Sequence, residues 1–163
     1  QPRRLVWWPV AMSLGEATGT RLCTADEFNF ACEGEEMLPY SYGFERNPSR
    51  CNIDKPYVTP GRQRLLPEPV CKTTPWCAAE LSKLDQRVPI GSTPDCTSPF
   101  GAHDLNGNVN EWVLRQGVEP KRSGLKGGWW GPARSRCRPM VTAHDESYVG
   151  YEVGFRCCKG ATR

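Results

Sequence analysis

Residues 104–114 read Asp-Leu-Asn-Gly-Asn-Val-Asn-Glu-Trp-Val-Leu, and this stretch does most to decide the fold. Its end, Glu111–Leu114, has the composition of a short strand, and Gly107 among polar residues marks a turn before it. The loop gathers carboxylate, amide and carbonyl oxygens, and calcium takes roughly six to eight such oxygens. The EF-hand pattern is absent, and an Asx turn, in which a carboxylate bonds to its own backbone, is the alternative. The stretch therefore predicts a strand beside either a calcium loop or a tight polar turn.

Three other short segments flank this stretch. Residues 21–28 read Arg-Leu-Cys-Thr-Ala-Asp-Glu-Phe, residues 126–129 read Lys-Gly-Gly-Trp, and residues 154–157 read Gly-Phe-Arg-Cys. Residues 107–113 lie between the first and second of these segments. Taken in chain order, the four segments resemble the formylglycine-generating enzyme (sulfatase-modifying factor) family. Its members typically show R-L-P-T-E-A-E-W-E, G-N-V-W-E-W, R-G-G-S and G-F-R. Each segment alone is a weak signal, but four in order over roughly residues 21–158 are a strong one.

The resemblance implies an α+β fold of the C-type lectin-like kind, with little regular secondary structure and several disulfide bonds. A length of 163 residues is that of one ordinary domain, so residues 1–163 are expected to form a single one. Members of the family usually have a longer stretch before the first segment. We therefore expect either a minimal version of the fold or one that another chain completes.

Local patterns predict the elements around these segments. Thr24–Glu27 has the form of a capping box, which predicts a short amphipathic helix over about residues 25–33 that Gly34 ends. The apolar run Leu5–Val10 predicts a buried strand broken by proline. Residues 39–98 are rich in proline and show no sustained period, which predicts long loops. Further strands are expected at residues 111–114, 124–130 and 151–158.

Composition narrows the classes of function. Hydrophobic residues make up 38% and mean hydropathy is −0.58, and no apolar run approaches the roughly 18 residues that span a bilayer. The net charge of +3 is small and spread among prolines, glycines and acids, which does not favour nucleic acid. No Ser-His-Asp order, phosphate-binding glycine loop or H-E-x-x-H motif is present. A membrane span, nucleic-acid binding and the common hydrolase and kinase chemistries are therefore not expected.

Nine cysteines with only two histidines and no paired C-x-x-C clusters indicate disulfides rather than zinc. The protein is therefore expected to be secreted, extracellular or periplasmic, with any signal peptide removed before Gln1. An odd count leaves at least one thiol free or linked to another chain. Cys157 and Cys158 are adjacent and are expected to have different partners, because a bridge between neighbours is strained. Four others lie in the long loops and are candidates to fasten them: Cys51, Cys71, Cys77 and Cys96.

The resemblance implies a catalytic site that this chain does not reproduce. The enzymes oxidise a sulfatase cysteine to formylglycine with two cysteines that bind copper in the loop after G-G-S, and soft thiolates suit Cu(I). Here residues 128–155 contain only Cys137. The serine after the glycines is Trp129, and the first tryptophan of W-E-W is Asn110. Oxidase chemistry with copper as cofactor is expected only if Cys137 meets one of the two C-terminal cysteines in space.

The resemblance also implies which cysteines pair. The family's structural cysteine corresponds to Cys137, and its partner at the end of the capped helix corresponds to Cys32, so a Cys32–Cys137 bridge is predicted. Cys23 stands where the family often has proline, and Cys157 or Cys158 is its expected partner.

Two calcium sites are implied in the same way. The first would use the side chains of Asp104 and Glu111 and the backbone carbonyls of Gly107 and Val109. The second would use residues that follow Cys51 and a less well aligned carboxylate, namely Asn52, Ile53 and Asp85. Calcium is therefore the expected cofactor, with an Asx turn as the alternative at each place.

Aromatic residues near arginines suggest a binding surface. Trp7–Trp8 and Trp129–Trp130 are adjacent pairs, and neighbours in a strand point to opposite faces, so one of each pair is expected near the surface. An exposed tryptophan beside Arg134 and Arg136 has the composition of a binding hot spot. The alternative is that both members of each pair fill a loop-rich core.

Three functions remain open. The leading hypothesis is a non-catalytic, extracellular binding or structural module, which holds a protein or glycan with residues 129–138 and 145–151. The alternatives are a divergent formylglycine-generating oxidase and a subunit of an assembly that is linked through the odd cysteine.

Overall fold

The structure is a computed structural model, which describes residues 8–58, 66 and 68–160. Within them, short helices and strands are separated by long irregular segments, so that the class is α+β with little regular structure. In chain order the elements are α1 (Trp8–Ala17), β1 (Arg21–Leu22), α2 (Ala25–Glu33), α3 (Glu68–Thr73), α4 (Pro75–Leu84), β2 (Asn110–Leu114), β3 (Ser123–Lys126), β4 (Met140–Val141), β5 (Val153–Phe155) and β6 (Cys157–Cys158). No helix in this part of the chain is long and apolar enough to cross a membrane.

Helix α2 has the bounds that its sequence predicts. The Thr24 side chain accepts a hydrogen bond from the Glu27 backbone N–H at 3.1 Å, and the Glu27 carboxylate accepts one from the Thr24 N–H at 2.8 Å. The helix ends at Gly34, whose φ of +64° suits glycine. A side chain at Gly34 would also meet the ring of Pro99 at 2.8 Å. The capping box and the stop at Gly34 are therefore confirmed.

A four-stranded sheet in the order β4-β3-β2-β5 brings the sequence segments together. Strand β2 pairs antiparallel with β3, with Glu111 opposite Lys126, and parallel with β5, with Glu111 opposite Gly154. Strands β1 and β6 form a separate antiparallel pair. The central position of β2 places the loop that precedes it beside both the Gly-Gly segment and the Gly-Phe-Arg segment.

Strand β2 also joins the two halves of the core. On one side Trp112 meets the ring of Trp8 edge-on, with 5.7 Å between ring centroids, and Leu22, Leu125 and Val153 pack around them. On the other side Val113 packs with Phe28, Cys32, Leu105 and Cys137. Successive side chains of a strand point to opposite faces, so neighbouring residues of one strand serve both groups.

Two predictions of secondary structure are wrong. The run Leu5–Val10 was expected to be a strand, but residues 8–10 begin helix α1, because proline is favourable in the first turn of a helix. Residues 5–7 lie outside the described part of the chain. Residues 68–84 were expected to be loop but form α3 and α4. Helix α3 has only 6 residues, and α4 lacks the side-chain cap that marks the start of α2.

Four disulfides connect the irregular segments: Cys23–Cys158, Cys32–Cys137, Cys51–Cys96 and Cys71–Cys77. The last two fasten the loops in which their cysteines lie. Cys157 is free and exposed, so its assignment to a disulfide is wrong and Cys158 takes that place. Because adjacent side chains in β6 point to opposite sides, only one of the two can reach Cys23.

Candidate functional site

The segment before β4 lies against the loop before β2, and a buried amide holds the two together. Asn106 is fully buried; its side-chain N–H donates to the Ser135 carbonyl at 2.6 Å, and its side-chain oxygen accepts from the Ser41 N–H at 2.7 Å. Beside it Cys137, also fully buried, is bridged to Cys32. The sequence did not single out Asn106, because its partners lie 65 and 29 residues away, beyond the reach of a local pattern.

A buried lysine supports the same segment from the sheet. Lys126 is 2% exposed, and its ammonium group donates to the carbonyls of Arg138 at 2.7 Å and Pro139 at 3.3 Å. It lies over the ring of Phe28, 5.5 Å from the ring centre. Burial lowers the pKa of Lys126 to about 8, and the negative charges of Glu33 and Asp26 oppose this only in part.

Hydrogen bonds to neighbouring segments hold the polar loop before β2 in place. The Asp104 carboxylate accepts from the Gly91 N–H at 2.8 Å and from the Thr93 hydroxyl at 2.9 Å. The Asn108 oxygen accepts from the Val88 N–H at 3.0 Å and from the Asn52 amide at 3.0 Å. The loop before β2 is thus joined to residues 88–93 and to Asn52, where the second calcium site was expected.

An ion pair that the sequence did not predict closes one end of this loop. Both oxygens of Glu111 accept from Arg156, one of them from Nη2 at 2.7 Å, and Nη2 also donates to the His103 carbonyl at 3.1 Å. Burial alone would lower the pKa of Arg156, but the neighbouring Glu111 outweighs it, so the pKa is raised and the guanidinium keeps its charge. The parallel register of β2 and β5, which was not predicted, brings the two residues together.

A cavity of about 240 Å³ opens beside this ion pair. The polar part of its lining includes Asp104, Glu111 and Arg156, and the apolar part includes Ile90, Val109 and Phe155. The cavity has room for a small ligand, and both predicted calcium carboxylates face it.

The tryptophan pair near the arginines divides between core and surface. Trp130 is 1% exposed and packs between Trp129, at 5.2 Å between ring centroids, and Tyr151, at 5.9 Å. Residues 129–138 were expected to hold a partner, but Trp130 cannot take part because its side chain is enclosed; it is the buried member expected of the pair. Trp129 is half-buried, and Arg134 and Arg136 are exposed, so these three remain available for binding.

The sequence profile of the sulfatase-modifying factor enzyme 1-like domain matches residues 1–161. The chain belongs to this family. The resemblance of its four sequence segments to sulfatase-modifying factors is thereby confirmed. A search of curated protein sequences finds no significant match.

Solved structures share the fold of this sulfatase-modifying factor domain. PvdO from Pseudomonas aeruginosa is 20% identical with a TM-score of 0.57, over 95% of this chain and 60% of its own. CarF is 19% identical with a TM-score of 0.55, over 85% and 46%, and Treponema denticola variable protein 1 is 16% identical with a TM-score of 0.56, over 86% and 48%. The chain spans only part of the length of each structure. At these identities the likeness shows the fold alone, and it confirms the expected C-type lectin-like α+β architecture.

The cysteines of this domain do not provide the pair of thiols that the copper oxidase alternative requires. Its enzymes would need two thiolates in one place, but Cys137 is bonded to Cys32 and Cys158 to Cys23. Neither Cys137 nor Cys158 is a thiol, so Cys157 has no thiol partner among the nine cysteines.

The two predicted calcium sites differ in how well their oxygens fit a metal. In the first, Glu111 is bound to Arg156, each Asp104 oxygen already accepts a hydrogen bond, and the Gly107 carbonyl accepts from the Val109 N–H at 2.7 Å. A metal there would have to replace these contacts. Among the described residues, no three His, Cys, Asp or Glu side chains form a metal-binding group.

The second expected site differs from the first in having an unpaired oxygen. The side-chain oxygen of Asn52 is buried and has no hydrogen-bond partner among the described residues, while its amide nitrogen donates to Asn108 and to the Gln86 carbonyl at 3.0 Å each. Buried polar atoms are normally paired. An unpaired oxygen next to the buried Ile53 is therefore an atom that could coordinate a cation. Asp85, the third residue expected there, is bound instead to Arg87 at 2.5 Å.

Proposed function

We propose that this sulfatase-modifying factor domain is a non-catalytic binding module of an oxidising compartment, which holds a protein partner near the segment before β4. The bridge between Cys137 and Cys32 carries the proposal, because it occupies the one cysteine that stands in the loop where the enzymes have two. Cu(I) needs soft ligands such as thiolates, and a single exposed thiol at Cys157 makes a poor copper site.

Four disulfides support a secreted, extracellular or periplasmic location. Eight of the nine cysteines are bridged, and bridges of this kind persist in oxidising compartments and are rare in the cytosol. A binding role also fits the half-buried Trp129 and the exposed Arg134 and Arg136. They stand on a segment that a disulfide and buried hydrogen bonds hold in place.

The test of the non-catalytic role combines thiol counting with turnover. We expect no more than one alkylatable thiol per unreduced chain, at Cys157, and no conversion of a C-x-P-x-R peptide to formylglycine in the presence of Cu(I). The Cys157→Ser variant is the matched control and should remove the remaining thiol. Two reactive thiols that include Cys137, together with conversion of the peptide, would overturn the proposal in favour of an oxidase.

We also propose that the protein binds calcium through Asn52 and Ile53, which the unpaired Asn52 oxygen supports. Bound calcium would supply a positive charge that joins residues 51–53 to their neighbours. After chelation, calcium at about 100 times its Kd should stabilise the fold by about 2.7 kcal/mol. Thermal denaturation with and without calcium measures this stabilisation as a rise in Tm. Because each protein is compared with itself, a variant that is less stable can still be tested.

The variants Asn52→Ala and Asp104→Asn separate the two calcium sites. If the ion lies at Asn52, the first change should abolish the calcium-dependent rise in Tm and the second should leave it. The reverse result would move the ion to the loop before β2, and no rise in the unchanged protein would remove calcium altogether.

The exposed thiol of Cys157 supports a further proposal, a covalent link to another chain. Non-reducing electrophoresis of protein from its native source should then show a species of higher mass that reduction converts to the monomer. The Cys157→Ser variant should run as a monomer under both conditions.

A further inference from the structure

Three arginines before β4 face the same side of the molecule. Arg134, Arg136 and Arg138 are exposed, and the residues between them, Ser135 and Cys137, are fully buried. Exposure therefore alternates with burial along residues 134–138, and the buried residues lie on the core. The bridge at Cys137 and the Asn106 contact to Ser135 fix the buried side, so the guanidinium groups project from a rigid base.

Two stacked tyrosines lie beneath this surface, the buried Tyr40 and the half-buried Tyr42. The rings of Tyr40 and Tyr42 lie 5.4 Å apart between centroids; Arg136 lies over Tyr40 and Arg50 over Tyr42, each 5.9 Å from the ring centre. Burial alone would raise the pKa of Tyr40, but hydrogen bonds from Arg136 and Arg46 outweigh it and lower the pKa. Arginines therefore border both rings. We call this surface the arginine face: Arg46, Arg50, Arg134, Arg136 and Arg138, with Tyr40 and Tyr42 beneath them.

Two arginines of the arginine face bind carboxylates within the chain. Arg138 holds both oxygens of Glu33, at 2.6 and 3.1 Å, and Arg46 holds both oxygens of Asp54, at 2.7 and 2.6 Å. Within the described part of the chain, Arg50, Arg134 and Arg136 make no ion pair. Glu45 lines the hollow beside Arg46 and Arg50.

Apolar side chains stand next to the unpaired charges. A groove of about 410 Å³ runs along Arg136 and Arg138, and its other wall includes Met37, which is 65% exposed, and Pro39. In the neighbouring hollow, beside Arg46 and Arg50, Phe44 is 70% exposed. A sulfated glycan would pair the arginines but cover little of this apolar surface. A peptide with acidic and apolar side chains matches both.

We propose that the arginine face binds an acidic segment of a partner protein, with carboxylates on Arg134 and Arg136 and an apolar side chain in the groove beside Met37. The guanidinium fork binds a planar carboxylate through two parallel hydrogen bonds, as Arg138 and Arg46 do within the chain. This inference names the partner of the proposed binding module and rests on that function.

The experiment uses the full chain and a fluorescent short peptide in which Glu alternates with Leu. Anisotropy titration at low and high salt measures the Kd. In the double variant Arg134→Ser, Arg136→Ser we expect binding at least about tenfold weaker, because two charge-assisted contacts are lost. The control is the double variant Lys121→Ser, Arg122→Ser, which removes the same charge next to the start of β3, whereas the arginine face lies near its end at Lys126. This control should change the Kd by less than about twofold.

Three outcomes would overturn the inference. Equal weakening in both double variants would mean that the peptide senses only net charge. Equal affinity for a peptide in which Ser replaces Leu would mean that the groove contributes nothing. Tighter binding of a sulfated oligosaccharide that the Arg134 and Arg136 changes abolish would assign the face to a glycan. None of these bears on the thiol count or on peptide turnover, which test the non-catalytic role separately.

Discussion

Lys126 should make the domain more stable as the pH rises above 8. It is 2% exposed and surrounded by core residues, and burial lowers its pKa from 10.5 to about 8. Between these two values the unfolded chain holds the proton and the folded chain does not, so stability rises with pH. One pKa unit corresponds to about 1.4 kcal/mol. The expected gain from pH 8 to above pH 10 is therefore about 3 kcal/mol, and below pH 8 the contribution of Lys126 is constant.

Urea denaturation at several pH values from 7 to about 10 measures this gain as a change in midpoint at constant m. The Cys157→Ser variant is the suitable background, because a free thiolate would exchange with the disulfides at high pH. Lys126→Met is the comparison: it keeps the length of the side chain, removes the charge, and leaves the carbonyls of Arg138 and Pro139 without a donor. Its stability should lack the rise with pH, whatever its absolute value.

Tyr151 sets the upper limit of the experiment. Burial, with the negative charge of Glu152, raises its pKa to about 12. The unfolded chain therefore loses this proton first, and stability falls as pH rises from 10 towards 12. Both proteins share this loss, so the difference between their curves isolates Lys126. Parallel curves for the background protein and its Lys126→Met variant over pH 7–10 would refute the reasoning.

The disulfides should differ in their effect on stability according to the length of chain that they close. Replacing the Cys32–Cys137 bridge, with a separation of 105 residues, by two alanines should cost about 4–5 kcal/mol, and replacing Cys71–Cys77, with a separation of 6, about 2 kcal/mol; equal losses in urea midpoints would contradict the chain-entropy argument. Gly107→Ala should disrupt folding, because its φ is +81° and an added Cβ would lie 2.4 Å from the Asn52 carbonyl oxygen. The control Gly19→Ala, at φ +66° in open space, should cost only about 1 kcal/mol, and circular dichroism thermal melts compare the two.

The parts of the fold that the sequence predicted are those with local signals. The capping box at Thr24 fixes the start of α2 through contacts three residues apart, and Gly34 ends it. The strand that composition predicts at residues 111–114 is found at Asn110–Leu114. In each case the interactions that decide the structure lie within a few residues, where pattern and propensity are informative.

The parts that were missed depend on distant contacts. The Glu111–Arg156 pair follows from the parallel register of β2 and β5, and the burial of Trp130 follows from its packing against Tyr151. The choice of Cys158 over Cys157 depends on which side of β6 faces Cys23. Sequence motifs located these residues, but their roles depend on the register of elements far apart in the chain.

The buried amide of Asn106 also determines how the protein ages chemically. Asn106 precedes Gly107, the dipeptide in which the backbone nitrogen of glycine most readily attacks the asparagine side chain, releases ammonia and leaves an aspartate or isoaspartate. In the folded chain this reaction is blocked, because the Gly107 N–H donates to the Gly127 carbonyl at 2.8 Å and Asn106 is held at both ends of its amide. Each excursion to the unfolded state exposes the dipeptide, and the resulting carboxylate has no place in the buried site. Unfolding that lasts long enough therefore becomes irreversible, and deamidation at Asn106 would record how long a sample has spent unfolded.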